Sequence, residues 1–287
     1  MLTDYHLHLQ PDGPEARAAD GHRWEAAGGP RSVAWITRYV EAARARAVEE
    51  IAITEHVHRF REVADWHPNA WWRAEATEDL AEHCAAIGRA RDDAGLPALL
   101  GIEMDWIPGR EDDIRALLAS QPFDIVLGSV HWLGDLAVDH PDYPCWDALG
   151  AEETWGRYLD ELGEAAASGL FDVLAHPDLP KVFGTAMPAA VGARRDEAIA
   201  RIAESGVAVE CSSAGLRKPC RALYPDPDWL AAFRRAGVPV TLASDAHRPE
   251  DVARDYPTAV AALRGAGYET ITRFRGREPE QVAIRWA

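Results

Sequence analysis

Long apolar runs and basic residues are both scarce in this sequence. No apolar run approaches the roughly 20 residues needed to cross a membrane, and the N-terminus lacks the basic start and apolar core of a signal peptide. The net charge of -17 argues against a nucleic-acid partner, because clustered cations hold nucleic-acid backbones. We therefore expect a cytoplasmic protein with no membrane and no nucleic-acid partner.

Cysteine is also rare. The four cysteines lack CxxC spacing, which excludes a zinc ribbon and a disulfide framework. They are expected to be reduced thiols: Cys84, Cys145, Cys211 and Cys220. The 287 residues, 47% of them hydrophobic, are enough to build a substantial apolar core.

Short apolar stretches alternate with longer stretches rich in Ala, Glu and Arg, which is the order of βαβ units with parallel strands. Seven strands are predicted, at residues 1–8, 50–56, 98–105, 124–131, 171–178, 207–214 and 239–247. Helices are predicted between and after them, at 32–49, 74–95, 110–121, 152–169, 189–206, 226–237 and 249–267. No linker divides the chain, so we predict a single domain over residues 1–287. Its fold is an α/β, TIM-like (β/α)7 barrel, with an open doubly wound sheet as the alternative.

Metal-binding residue types collect at the predicted strand ends, where α/β barrels carry their chemistry. Histidines at these ends are His6, His8, His56, His58, His131, His176 and His247. Carboxylates at these ends are Glu55, Glu103, Asp105, Asp178 and Asp245. Only the sixth strand, which ends in Glu210, Cys211 and Ser212, is expected to present a mostly neutral end.

This ring of imidazoles and carboxylates without thiolates suits Zn²⁺, Fe²⁺ or Mn²⁺. It offers too many ligands for one tetrahedral site. Because the Glu103 carboxylate can bridge two ions, we expect two or three divalent ions at the C-terminal ends of the strands.

Six motifs in chain order resemble the PHP (polymerase and histidinol phosphatase) superfamily: DYHLH at 4–8, ITEH at 53–56, GIEMDWIPG at 101–109, GSVH at 128–131, AHPDLPK at 175–181 and SDAH at 244–247. Within it, GSVHWL and the ECSSAGLRKP stretch resemble the histidinol-phosphatase branch. The resemblance implies a distorted seven-stranded barrel with a trinuclear metal site. It also implies hydrolysis of L-histidinol phosphate to L-histidinol and phosphate in histidine biosynthesis.

The resemblance also implies three ligand sets. The first ion would be held by His6, His8, Glu103 and Asp245. The second would be held by Glu103, His131 and His176. The third would use His56 and His247 together with a further histidine of the family, and this chain has Pro14 at that position. Asp12 or His22 is expected to substitute, unless the third site is weak or vacant.

The substrate is expected to be a small-molecule phosphate ester. Its charge calls for a fixed cation, for which Arg217 is the first candidate and Lys218 and Lys181 are the second. Arg217, Glu103 and Asp245 are the predicted catalytic residues. Ser212 stands where the branch has asparagine, in a strand expected to line the substrate pocket. The alternative function is therefore a PHP phosphatase or phosphodiesterase for another ester, such as a sugar or nucleotide phosphate.

Neighbouring residues allow two interpretations each. Glu55 either hydrogen-bonds a ligand imidazole or is an ordinary strand-end charge, and His58 either faces the pocket or is solvated. Asp105 and Asp178 either orient ligands, recognise a substrate ammonium group, or cap loops. Trp106 and Trp132 either wall the pocket or simply pack, and residues 66–72 are expected to form a loop or lid. A catalytically idle metal-binding domain is a third class of function, against which the nearly complete ligand set argues.

Overall fold

The structure is a computed structural model that describes residues 1–285. Its strands are β1 (Thr3–Asp4), β2 (Glu50–Ile53), β3 (Ala98–Asp105), β4 (Ile125–Ser129), β5 (Trp132–Leu133), β6 (Leu136–Ala137), β7 (Val173–Leu174), β8 (Ala208–Ser212), β9 (Val240–Ala243), β10 (Thr270–Arg275) and β11 (Glu278–Ala283). Its helices are α1 (Pro14–Glu25), α2 (Val33–Ala45), α3 (Ala70–Glu75), α4 (Leu80–Gly88), α5 (Glu111–Ala119), α6 (Cys145–Ala167), α7 (Gly192–Ser205), α8 (Pro227–Ala236) and α9 (Tyr256–Gly265).

Seven parallel strands form the central sheet, in the order β1-β2-β3-β4-β7-β8-β9. The sheet curls until its two edges meet. The backbone N–H of His8 donates to the carbonyl of Ala246 at 2.8 Å, and Leu7 lies opposite Ala246 in a parallel bridge. The predicted seven-stranded barrel is therefore confirmed, and the open-sheet alternative is wrong.

Asp4 stabilises the closure of the barrel with hydrogen bonds. Its carboxylate is fully buried and accepts hydrogen bonds from the backbone N–H groups of Ser244 at 2.9 Å and Ala253 at 2.8 Å, and from the Ser244 hydroxyl. Burial raises the pKa of Asp4 to about 6, although these hydrogen bonds favour the ionised form. A carboxylate at the end of the first strand thus holds the loop that follows the last strand.

The buried surface has two layers. A large apolar cluster lies between strands and helices, including Leu100 and Val126. A second, smaller cluster contains their neighbours in the strands, Leu99 and Ile125, together with Phe274 of β10. Because successive strand residues face opposite sides, the second cluster fills the barrel interior. Polar side chains then occupy the C-terminal ends of the strands.

The structure also shows elements that were not predicted. Helix α1 and the hairpins β5-β6 and β10-β11 were missed, and α3 begins in the stretch 66–72 that was expected to be a loop or lid. The residues of β11 are almost all exposed, so this strand has no apolar run that marks it. Helix α6 begins earlier than predicted, at Cys145, and is interrupted at Gly150 by a positive φ of 74°. The predicted single domain over residues 1–287 stays a prediction.

Within residues 1–285, no helix combines the length and the apolar character that crossing a membrane requires.

We predict that Asp4→Ala destabilises the fold by about 3 kcal/mol, because it leaves buried donors without an acceptor. Urea unfolding would measure the difference in the free energy of unfolding. Asp112→Ala is the control, since the Asp112 side chain is fully exposed on α5. Equal stability of the two variants would contradict the role given to Asp4.

Candidate metal centre

Histidines and carboxylates from six strand ends converge at one end of the barrel. The predicted ligands lie together there: His6, His8, Asp12, His56, Glu103, His131, His176, Asp245 and His247. Most of them are buried, and Asp12 is the most exposed, with 44% of its side chain accessible. The clustering predicted from the sequence is therefore present in the structure.

Glu103 on β3 lies at the centre of the cluster. Its Oε2 is 3.3 Å from His6 Nε2, and its Oε1 is 3.1 Å from His176 Nε2 and 3.5 Å from His131 Nε2. Burial opposes ionisation of Glu103, but His56, His6 and His131 outweigh it and hold the pKa of the carboxyl well below its usual range. Glu103 is therefore an anion that faces two groups of imidazoles.

Asp245 completes the first predicted set. Its Oδ1 lies 3.7 Å from His6 Nε2 and 3.4 Å from His8 Nε2. Burial and the neighbouring imidazoles of His56 and His247 lower the pKa of His8. His8 is therefore neutral near pH 7 and has a lone pair to offer a metal.

Several buried ring nitrogens and one buried carboxylate oxygen face one another across the cluster without a hydrogen bond of good geometry: His6 Nε2, His8 Nε2, both nitrogens of His56, His247 Nε2 and Glu103 Oε2. Such poorly oriented buried polar atoms are costly unless a ligand such as a metal ion pairs with them. Three groups of donor atoms lie close enough to hold an ion: His6, His8 and Glu103; Glu103, His131 and His176; and His8, His56 and His247. This donor set fits divalent cations.

Three of the imidazoles have a carboxylate next to their Nδ1 atom. Glu210 lies 2.9 Å from His6 Nδ1, Glu55 lies 3.2 Å from His8 Nδ1, and Asp105 lies 2.8 Å from His131 Nδ1. A carboxylate at Nδ1 keeps a proton there, so that a metal ion displacing the Nε2 proton would meet the Nε2 lone pair. Glu55 and Asp105 therefore contact the imidazoles of two predicted ligands, in agreement with the interpretation that they orient these rings.

Glu210 was missed, because the end of the sixth strand was expected to be mostly neutral. That expectation is wrong: besides His6, the Glu210 carboxylate accepts the backbone N–H of His176 at 2.8 Å. The available signal was a charged residue inside the apolar stretch VAVEC, since a buried strand carries a charge only where it has a partner.

Asp12 lies where the third ligand set lacks its histidine. Its Oδ2 is 2.8 Å from His247 Nε2, and its Oδ1 is 3.4 Å from His56 Nε2. The buried Arg59 guanidinium donates to Asp12 at 2.8 Å and to the carbonyl of Pro11, which fixes this loop. His22 is exposed on α1, and its ring nitrogen lies 3.1 Å from the carbonyl of Ala19.

The three candidate phosphate-binding cations differ in their surroundings. Arg217 is partly buried and donates to the backbone carbonyl of Ser244, beside Asp245. Lys218 is exposed, lines the cavities above the cluster, and makes no ion pair within residues 1–285. Lys181 is buried between Asp178 at 2.6 Å and Asp226 at 2.7 Å.

Lys181 also donates to the carbonyl of Leu223 at 2.6 Å. Its ammonium group therefore has no N–H left for a phosphate, and the prediction that it binds substrate is not supported. Asp178 shares this network and accepts the backbone N–H of Asp226, so it holds a loop. The Ser212 hydroxyl accepts the backbone N–H of Ala214 at 3.3 Å, within a local turn.

Three cavities open above the cluster. One of about 170 Å³ lies over Glu103, His176 and Asp245. A second, of about 230 Å³, is lined by Trp132, Trp71 and His58. A third, of about 450 Å³, is lined by Asp12, His247 and Arg217. Trp132 thus lines a cavity beside the cluster, in agreement with one of the two interpretations considered for it.

Trp106 lines none of the cavities above the cluster: it is buried with its ring centroid 6.2 Å from that of Phe171. Of the two interpretations considered for Trp106, packing is the one that the structure supports. His58 is buried instead of solvated and stacks on His56 with ring centroids 4.7 Å apart.

Comparison with known proteins gives consistent results. The model of the PHP domain matches residues 30–214. The "Probable histidinol-phosphatase" of Deinococcus radiodurans is 34% identical over 280 residues, which cover 96% of this chain and 98% of that protein. The crystal structure of histidinol phosphate phosphatase from Lactococcus lactis, complexed with zinc, L-histidinol and phosphate, superposes with a TM-score of 0.72 at 21% identity. It covers 97% of this chain and 98% of that one.

We predict that Glu210→Gln weakens divalent metal binding about 10- to 100-fold, the usual cost of losing a carboxylate behind a ligand imidazole. The amide N–H₂ opposite His6 Nδ1 favours the tautomer with its proton on Nε2. Calorimetric titration with Zn²⁺ would measure the affinity. Glu204→Gln, on the exposed side of α7, is the matched control. Unchanged affinity in the Glu210 variant would remove Glu210 from the metal centre.

Proposed function

Because the chain belongs to the PHP domain family, we propose that it is a metal-dependent phosphomonoesterase that hydrolyses L-histidinol phosphate to L-histidinol and phosphate. The observation that carries the proposal is the convergence of three overlapping donor groups, two of them on the single carboxylate of Glu103. The full-length similarity to a histidinol-phosphatase supports the choice of substrate. A role in histidine biosynthesis, and with it a cytoplasmic location, belongs to this proposal.

The donor groups support two or three divalent ions of the Zn²⁺, Fe²⁺ or Mn²⁺ type. We assign His6, His8, Glu103 and Asp245 to the first, Glu103, His131 and His176 to the second, and Asp12, His56 and His247 to the third. When bound, such ions lower the pKa of water and neutralise charge on the phosphoryl oxygens.

The residues of the chain then position the reacting groups. Glu103 stays ionised because the imidazoles around it hold its pKa low, so it can bridge two of the sites. Glu210, Glu55 and Asp105 hold their imidazoles in one tautomer. A metal centre that keeps its geometry without reorganising is what electrostatic stabilisation of a transition state requires.

Arg217 and Lys218 are the proposed phosphate-binding cations. The Arg217 guanidinium is held next to Asp245 by the carbonyl of Ser244, and Lys218 reaches the cavities from the same loop. Their charges offset the negative charge of the phosphate that the ions leave uncompensated. The carboxyl groups of Glu103 and Asp245 act by holding the metal.

We predict that the metal-loaded protein releases phosphate from L-histidinol phosphate with a kcat/KM well above that for sugar phosphates, nucleotides and phosphodiesters. Phosphate release with added Zn²⁺, Mn²⁺ or Fe²⁺ is the measurement, and chelated protein is the control. Preferential turnover of another ester would favour the alternative function. No turnover of any ester would exclude both enzymatic functions in favour of an idle metal-binding domain.

We predict that Asp12→Ala loses about one metal ion per chain, because the carboxylate supplies the ligand that His56 and His247 otherwise lack. Metal content after dialysis, measured by elemental analysis, checks this independently of activity. His22→Ala is the matched control and should keep the content of the unmodified protein. Full metal content in the Asp12 variant would contradict the assignment.

A further inference from the structure

Arg59 is a buried cation beside the metal centre. It ends the short 3₁₀ turn Val57–Arg59, which follows the predicted ligand His56, and its side chain is only 1% exposed. Its backbone N–H donates to the carbonyl of His56 at 3.2 Å, and its carbonyl accepts the N–H of Glu78 at 2.8 Å. The backbone of Arg59 is therefore held from both sides.

The Arg59 side chain contacts two carboxylates at once. Its Nε atom lies 3.0 Å from Glu55, the carboxylate next to His8 Nδ1, and its Nη2 atom donates to Asp12 Oδ1 at 2.8 Å. Burial opposes the charged form of Arg59, but Glu55 and Asp12 outweigh it and raise the pKa of the guanidinium. One cation thus joins the first proposed ligand set, through Glu55 and His8, to the third.

Asp12 lies in the irregular segment between β1 and α1, and 44% of its side chain is exposed. Within residues 1–285, the contacts of its carboxylate come from Arg59 and from the imidazoles of His56 and His247. Arg59 Nη2 also lies 3.1 Å from the carbonyl oxygen of Pro11, so it holds the backbone of this segment as well. Without Arg59, a metal ion would itself have to order a half-exposed side chain, which costs binding free energy.

We propose that Arg59 is a positioning residue that prepares Asp12 for metal binding, because it engages Oδ1 of the carboxylate and leaves Oδ2 facing His247. This rests on the third ligand set of the proposed function. The two oxygens divide their contacts in this way: Oδ1 accepts the guanidinium, and Oδ2 lies 2.8 Å from His247 Nε2. Arg59 acts on the third ion through Asp12.

The role depends on the geometry of arginine and not only on its charge. The guanidinium nitrogens lie in one rigid plane, so Nε and Nη2 can face Glu55 and Asp12 at the same time. A lysine ammonium carries the same charge on a single nitrogen. Glu55 is fully buried whereas Asp12 is half-exposed to water, so that nitrogen pairs with Glu55. Arg59→Lys therefore keeps a cation at Glu55 and loses the hold on Asp12.

Calorimetric titration of chelator-treated protein with Zn²⁺ tests the proposal independently of activity. The binding step to follow is the one that Asp12→Ala abolishes. For Arg59→Lys, we predict that the affinity of this step falls about 10- to 100-fold, the usual effect of losing a partner that orients a ligand, while the other steps keep their affinity. Arg59→Gln, which also cannot reach both carboxylates, should weaken the same step. In the double variant Asp12→Ala/Arg59→Lys, the remaining steps should match those of Asp12→Ala alone.

Arg61→Lys is the matched control, since the exposed Arg61 side chain pairs with Asp79 on the surface. It should keep the affinity of every step, and thermal melting checks that each variant is folded.

The outcomes separate the proposal from the function on which it rests. If the step that needs Asp12 keeps its affinity in Arg59→Lys and Arg59→Gln, the role of Arg59 is wrong while Asp12 remains a ligand. An equal loss of affinity with and without Asp12 would show that Arg59 acts elsewhere, and would also overturn the proposal. If Asp12→Ala abolishes no step, the third ligand set is wrong, and the role of Arg59 with it. Binding of no divalent ion by the unmodified protein would contradict the proposed function itself.

Discussion

The burial of one negative charge organises this molecule. The carboxylate of Glu103 is fully buried. Five imidazoles face it and compensate its negative charge: His6, His8, His56, His131 and His176. These imidazoles reach the centre from four strand ends, because His6 and His8 both follow β1. The barrel supplies this arrangement because parallel strands bring all their C-terminal ends to one side. The carboxylates behind the imidazoles and the Asp4 closure keep it in place.

Much of this could be predicted from the sequence, and the reasons are visible in particular residues. His6 and His8 flank Leu7, which forms a parallel bridge to Ala246, so alternation along an extended chain puts both rings on one side, as the sequence spacing predicted. The seven strands could be predicted because each is an apolar run between stretches of helical character. The end of β3, with Glu103 and Asp105, was readable because two carboxylates close an otherwise apolar run.

The rest depends on partners that lie far away in the chain. Lys181 resembles a phosphate ligand until Asp226 and Leu223, some 40 residues later, take up its N–H groups. Glu210 is separated from His6 by 204 residues, so no local pattern connects them. Asp12 and Trp71 lie in irregular or short elements, where periodicity does not show which way a side chain faces. Contacts of this kind appear only once the barrel has closed.

Barrel closure also determines when the metal centre can exist. His6 and His8 follow the first strand and Asp245 and His247 follow the last, and the Asp4 to Ser244 hydrogen bond that joins these strands spans 240 residues. A chain still emerging from the ribosome therefore holds its first ligands long before it has the last ones. The proposed ligand set is therefore complete only once the first and last strands of the barrel have paired.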